Sequence, residues 1–201
     1  MNIIAEEVYH IYNQGNNRET IFIDNKDYIE FLTLFRKFVL PHCKVLAYCL
    51  MPNHFHFEIY ATESSAVVKK VGNINSTELS NGFRLLQSNY AQYFNKRQNR
   101  SGSLFRQKTK AKGVSDGSNH YGNIAFHYIH QNPLIAKLVT KLEDWEYSSF
   151  NDYAGLRKGT LCDKTLAKQL ISFDETNFIA ESYTFIDEAS SRKIFLKDEA
   201  I

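Results

Sequence analysis

The chain has 201 residues, 43% of them apolar and 14% aromatic, enough to build one full hydrophobic core and too much for a chain whose main state is disorder. The longest apolar run, residues 45–51, is far short of the ~20 residues that span a bilayer. Residues 1–10 place Glu6 and Glu7 ahead of any basic side chain, so no signal peptide is read and a cytoplasmic protein is expected. Cys43, Cys49 and Cys162 are odd in number and form no CxxC pair, which argues against a disulfide framework and a thiolate zinc site. The 24 basic and 22 acidic side chains nearly cancel, but unevenly along the chain. Residues 93–113 hold seven bases and no acid, whereas residues 172–201 hold seven acids against three bases. Such segregation fits a polyanion-binding face kept apart from an acidic tail, although a basic run is more often a solvated surface.

Residues 8–13 are β-branched and aromatic and end in the turn-prone group Asn13, Gly15, Asn16 and Asn17, which predicts a first strand. Asp24 or Asn25 can cap a first helix whose Tyr28, Phe31, Leu32, Phe35 and Phe38 keep helical spacing until Pro41 stops it. Residues 43–51 and 54–60 are two strand-like runs separated by Pro52 and Asn53, a hairpin signature. Asn75 and Glu78 resemble a capping box ahead of the stripe Leu79, Phe83, Leu86, Tyr90 and Phe94, which predicts a second helix. Beyond a basic loop at 95–100, residues 103–114 alternate charged with small or apolar side chains and read as a fourth strand. Residues 118–132 fit a third helix with Asn119 as cap, and Pro133 is expected to kink or restart it before residues 134–139. Residues 144–155 read as a closing loop. The order βαββαβα is that of an α+β protein: a ferredoxin-like (RRM-like) antiparallel sheet with helices on one face and an extra carboxy-terminal helix. One domain over residues 1–155 is expected, followed by an acidic extension, 156–201, packed on it.

His54 and His56 lie two apart on one strand, so both leave the same face and can share a divalent cation. Taken alone, such a pair also reads as two strand histidines bonded to neighbours. A third ligand would come from the third helix, which offers His127, His130, Gln131 and Asn132; Asn132 lies four residues beyond Tyr128 and shares its face if the helix survives to Pro133. Tyr128 alone reads as ordinary core packing.

Four blocks resemble a known family. Leu50-Met51-Pro52-Asn53-His54-Phe55-His56, then Tyr93-Phe94-Asn95-Lys96-Arg97 with Arg100-Ser101-Gly102-Ser103-Leu104-Phe105, then Tyr128-Ile129-His130-Gln131-Asn132-Pro133, then Asp144-Trp145-Glu146-Tyr147-Ser148-Ser149 look like the REP-associated tyrosine transposases, HUH single-tyrosine enzymes. With the preceding strand and helix the resemblance extends to Gly155. It implies a ferredoxin-like domain that cleaves and rejoins single-stranded DNA at hairpin-bearing repeats, through a 5′-phosphotyrosine on Tyr128 and a free 3′ hydroxyl. It also implies His54, His56 and Asn132 as ligands of Mg²⁺ or Mn²⁺. Neutral imidazoles and an amide oxygen suit such a cation, and a phenol of ordinary pKa near 10 needs a nearby cation or base to attack. His127, His130 and Gln131 stay open as rival third ligands. Lys96, Arg97, Arg100, Arg106, Lys108 and Lys110 would contact DNA phosphates, while Tyr93, Phe94 and Phe105 are stacking platforms or core. The rival reading is a non-catalytic single-stranded nucleic-acid-binding module on the same fold. A monomer and a homodimer are both compatible with it, and no membrane partner is expected.

Overall fold

Asp24 begins the first helix as expected: its side chain accepts a hydrogen bond from the Lys26 amide at 3.0 Å, satisfying one of the donors that a helix start leaves unpaired. In the computed structural model, which describes residues 1–114, 120–171 and 173–184, that helix is α1, Asn25–Phe38, and it buries Tyr28, Phe31 and Phe35. It follows strand β1, Val8–Gln14. Strands β2, Cys43–Met51, and β3, His54–Ala61, form the hairpin across Pro52 and Asn53, with Met51 opposite His54. β3 also pairs with β1, and β1 with a short strand, β6, Lys110–Gly113. The sheet order β2-β3-β1-β6, antiparallel throughout, is the ferredoxin-like arrangement.

Helices α1 and α3, Glu78–Arg97, lie side by side on one face of this sheet. Their stripes meet the inward side chains of the strands in one aromatic core that includes Ile11, Phe31, Phe55, Phe83 and Tyr90. The Phe35 and Phe57 rings stack there with centroids 4.1 Å apart. The opposite face is covered by α4, His120–Ile135, with a second core of Leu46, Ala47, Cys49, Met51, Phe126 and Ile129. Burial on both faces explains why β2 is almost wholly apolar. A bulge between Val45 and Ala47 re-phases that strand, so that Val45, Tyr48 and Leu50 serve the first core while Leu46, Ala47, Cys49 and Met51 serve the second.

The chain after α4 closes the second core. Residues 145–149 run along the free edge of β2, where the Leu50 amide donates to Tyr147 O at 2.8 Å and the Ser149 amide to Tyr48 O at 2.9 Å. This pairing caps an edge that would otherwise be open to another chain. A single turn of helix, α5, Phe150–Tyr153, follows, then α6, Lys164–Leu170, capped by the Asp163 carboxylate, and α7, Phe178–Tyr183. Phe173 and Phe178 pack on Phe126 of α4, so the described part of the acidic extension belongs to the same core. Among the described residues no helix is long and apolar enough to cross a membrane.

The structure departs from sequence expectation at four places. Between β3 and α3 stand a short helix, α2, Glu63–Ala66, and a separate hairpin of β4, Val68–Val71, and β5, Ile74–Thr77, around Gly72 at φ +60°. Asn75 is therefore inside a strand, and the cap of α3 is Thr77, whose hydroxyl oxygen accepts from the Ser80 amide. The fourth strand is regular only at β6: Phe105 bridges Gly15 and the Arg106 amide donates to Gln14 O, while between that point and β6 the Asn13 side chain bonds Arg106 O and Thr109 Oγ1 where a regular ladder would run. Helix α4 runs through Pro133 to Ile135 without restarting. Asn119, and the acids and aromatics beyond Thr184, lie outside the described residues.

Gly82 marks where α3 crosses the end of α1. A Cβ added there would sit 2.4 Å from the Phe38 carbonyl oxygen, a backbone atom. Alanine ordinarily gains about 1 kcal/mol over glycine in a helix, but overpacking costs about 1–3 kcal/mol, so the clash should win. Gly82→Ala is expected to lower the thermal midpoint; an unchanged or raised midpoint would refute this account of the helix crossing.

Candidate active site

Because strand side chains alternate, β3 sends Phe55, Phe57 and Ile59 into the first core and His54, His56 and Glu58 to the face under α4. The antiparallel register sets Tyr12 opposite His56 and His10 opposite Glu58. On the far side of β1, Lys110 stands opposite Tyr12 and Lys112 opposite His10. One face of the sheet thus carries two cross-strand rows, Lys110-Tyr12-His56-Cys49 and Lys112-His10-Glu58-Ala47.

α4 brings the remaining groups. The Tyr128 ring lies 6.1 Å from that of His56, nearly perpendicular to it. The Asn132 amide reaches the His54 imidazole, and its Nδ2 donates to the Tyr128 carbonyl at 2.9 Å. His54 and His56 stand edge to face, 4.8 Å between centroids. His54 Nδ1 lies 2.6 Å from Asn53 Oδ1; an amide oxygen only accepts, so this nitrogen carries the hydrogen and Nε2 holds the lone pair. His56 Nδ1 lies 2.8 Å from His10 Nε2, and the Tyr12 ring stacks on His10 at 4.8 Å. Tyr128 is nearly buried, beside Val114 and Ala125.

Burial governs the charge state of this face. Desolvation, with help from Lys112 and His54, lowers the pKa of His10 to about 3. Desolvation lowers His54 to about 4 against an opposing contact with Asn132, and pushes His56 well below the ordinary histidine value, with His54 and His10 adding to the effect. The three imidazoles are accordingly neutral at pH 7, the form that binds metals. Glu58 is fully buried with neither carboxyl oxygen hydrogen-bonded, and desolvation raises its pKa well above the carboxylate range, so it is a neutral acid. Gly122 of α4 passes over it: a Cβ there would stand 3.8 Å from Oε1.

The other ligand candidates on α4 face elsewhere. His127 Nδ1 bonds Ser182 Oγ at 3.1 Å, and Gln131 Nε2 donates to Ser182 O at 2.8 Å, both on α7. His130 Nε2 bonds Ser149 Oγ at 2.7 Å among Phe126, Phe150 and Phe178. Among the described residues no three His, Cys, Asp or Glu side chains converge as a metal cluster; the described donors that stand together are the imidazoles of His54 and His56 and the Asn132 amide.

The basic residues divide. Arg97 is held by Asp24 and by the buried Asp27, and Arg100 by Glu19 at 2.9 Å. Lys96, Arg106, Lys108 and Lys110 are exposed. Arg106 and Lys108 precede β6, on which Lys112 shares the face of Lys110. Phe94 and Phe105 are core and Tyr93 packs at its rim. Sequence reasoning missed His10 and Glu58. The visible signal was His10-Ile11-Tyr12, a second alternation of ring side chains like that of His54 and His56.

No family model matches the chain, and no curated protein matches it. Among solved structures it is similar to a REP-associated tyrosine transposase bound to a REP hairpin, with TM-score 0.56 and 14% sequence identity over 80% of this chain and 90% of that one. At this identity the likeness establishes a shared fold.

Five depressed histidines, His127 at about 4 and His130 well below the ordinary value joining the three above, make stability depend on acid. Below pH 6.5 the unfolded chain takes up protons that the folded chain refuses, so their contribution is complete above pH 6.5 and is lost towards pH 4. Glu58 works in the opposite sense above pH 4.5 and offsets about one of the five. Each uncompensated histidine removes up to about 1.4 kcal/mol per pH unit. Denaturant melts of metal-free protein should show stability falling steeply from pH 6.5 to 5; a flat profile would contradict the neutral, buried assignment.

Proposed function

We propose that this protein is a metal-dependent single-stranded DNA transposase or recombinase that cleaves and rejoins DNA at hairpin repeats through a 5′-phosphotyrosine on Tyr128. The observation that carries the reading is the meeting of Tyr128 and Asn132, one turn apart on α4, with His54 and His56 of β3. The donor set fits Mg²⁺ or Mn²⁺: two neutral imidazoles, and the Asn132 amide, whose Nδ2 donates to the Tyr128 carbonyl and whose Oδ1 is the atom that would serve the cation. A bound cation would neutralise charge on a non-bridging phosphate oxygen and orient the phosphodiester.

The chain's own residues do the rest. Tyr128 Oη forms a bond to phosphorus while the bond to the 3′ oxygen breaks; one phosphoester replaces another, so no ATP is needed and a second 3′ hydroxyl can reverse the attack. Lys110 and Lys112 stand on the same sheet face, opposite Tyr12 and His10, where basic side chains would favour the DNA backbone. Lys96, Arg97, Arg100, Arg106, Lys108 and Lys110 are the proposed phosphate contacts; Arg97 and Arg100 sit in ion pairs with Asp24, Asp27 and Glu19 and would reach DNA by exchanging partners. The family resemblance of the sequence blocks and the shared fold support the same reading.

The test incubates the protein with labelled single-stranded hairpin repeats from its own genome and Mg²⁺ or Mn²⁺, then seeks a denaturation-resistant protein–DNA adduct. The adduct is expected, and is expected to vanish in Tyr128→Phe and in His56→Ala. Tight binding without adduct on every repeat would favour a binding module, and an adduct surviving Tyr128→Phe would assign a different nucleophile. For the basic edge, Lys108→Ala should weaken binding across sequences alike and flatten the slope of log affinity against log salt by about one phosphate contact; an unchanged slope would remove Lys108 from the interface.

A further inference from the structure

His10 has no part in the mechanism above, yet it is fully buried and makes a side-chain hydrogen bond to one of the proposed ligands. The two rings meet edge to edge, with planes within 14°, centroids 5.0 Å apart and His10 Nε2 only 2.8 Å from His56 Nδ1. That geometry puts an N–H of one ring in line with a lone pair of the other, so the contact holds one proton. Two neutral arrangements are available. If His10 Nε2 were the donor, the single proton of His56 would have to sit on its Nε2, and His56 could not ligate through that atom. If His56 Nδ1 is the donor, its Nε2 presents a lone pair on the opposite side of the ring from His10.

The neighbouring histidine offers a parallel for the second arrangement. His54 Nδ1 donates to Asn53 Oδ1, an acceptor that cannot reverse roles, and its Nε2 is left with the lone pair. His56 is built the same way, with its Nδ1 turned to a neighbour, except that the neighbour is an imidazole brought from another strand by the β1–β3 register. Tyr12 stacks on His10 and lies 5.9 Å from His56, which fixes the plane in which the two rings meet. We infer that His10 is a positioning residue: its Nε2 accepts the Nδ1 hydrogen of His56, which locks the tautomer and ring angle that let His56 Nε2 bind a divalent cation. Metal-ligating histidines are held in this manner by carboxylates, carbonyls or water, and losing such a partner typically weakens metal binding 10- to 100-fold. The inference rests on the metal-dependent reading above, and its test separates the two.

¹⁵N spectra of histidine-labelled, metal-free protein at pH 7 report which nitrogen of His56 is protonated, with the resonance assigned by its absence in His56→Ala. Protonation at Nδ1 is expected; protonation at Nε2 overturns the inference whatever any variant does. Mn²⁺ titration followed by electron paramagnetic resonance then gives affinity without DNA. His10→Leu is expected to weaken Mn²⁺ binding 10- to 100-fold and to lose the single Nδ1-protonated form, while His10→Gln, whose amide oxygen can accept, recovers most of both. Unchanged affinity and tautomer in His10→Leu would sink the role of His10. Unchanged Mn²⁺ affinity in His56→Ala would instead remove the metal site itself, leaving the tautomer result to stand on its own.

Discussion

The sheet of this protein has two faces of opposite character, and burying the polar one is the constraint on which the rest depends. The face under α1 and α3 is aliphatic and aromatic, and its packing is the ordinary removal of apolar surface from water. The face under α4 carries His10, His56 and Glu58, each fully buried. Covering such groups is favourable only if they are neutral and, for the most part, hydrogen-bonded. The His10–His56 bond and the His54 contacts with Asn53 and Asn132 meet that demand, and desolvation keeps Glu58 protonated. Glu58 itself is left without a partner, a cost the fold sustains beside its candidate site.

A cover over such a face must not rotate, because the helical period turns neighbouring side chains about 100° apart. α4 is held from two other sides. His127 and Gln131, four residues apart, are bonded to α7, and His130 is bonded to Ser149 on the segment that caps the β2 edge. With those three residues engaged, Tyr128 and Asn132 are the pair that faces β3. The carboxy-terminal segment, which composition marks as an acidic appendage, therefore fixes the azimuth of the helix that carries the proposed nucleophile. Pro133 does not disturb this, since α4 continues to Ile135 inside a tightly packed second core.

Local pattern made much of this legible. Alternation put His54 and His56 on one face, Pro52-Asn53 closed the hairpin, and the stripes of α1 and α3 gave two helices and the core between them. What stayed hidden depends on pairing between distant residues. His10 becomes a neighbour of His56 only through the β1–β3 register, which no local window contains. The break in the ladder ahead of β6 falls where a side chain on β1, Asn13, bonds Arg106 and Thr109, and α4 survives through Pro133 by packing on elements 40 and more residues away. The small β4–β5 hairpin did have a local cue, Val71-Gly72-Asn73-Ile74, with Gly72 in the left-handed region that a tight turn requires.

The charge pattern shows the same division between sequence and structure. Seven bases in residues 93–113 suggest one continuous basic surface, but the fold distributes them by function. Arg97 ties the end of α3 to the start of α1 through Asp24 and Asp27, and the Asp27 carboxylate also accepts from the Ile23 amide, so this arginine neutralises a charge buried in the helix-packing face. Removing Arg97 would strand the Asp27 carboxylate against the helix-packing face. Lys110 and Lys112 extend the rows that contain Tyr12, His56 and His10, and both side chains are exposed at the margin of the polar face. On the proposed function, a DNA strand that engages this margin would reach the sheet face that carries His54 and His56. On that proposal the two features would be complementary: imidazoles kept neutral by burial are in the form that binds a cation, and basic side chains stand on the same face as the phosphate it would engage.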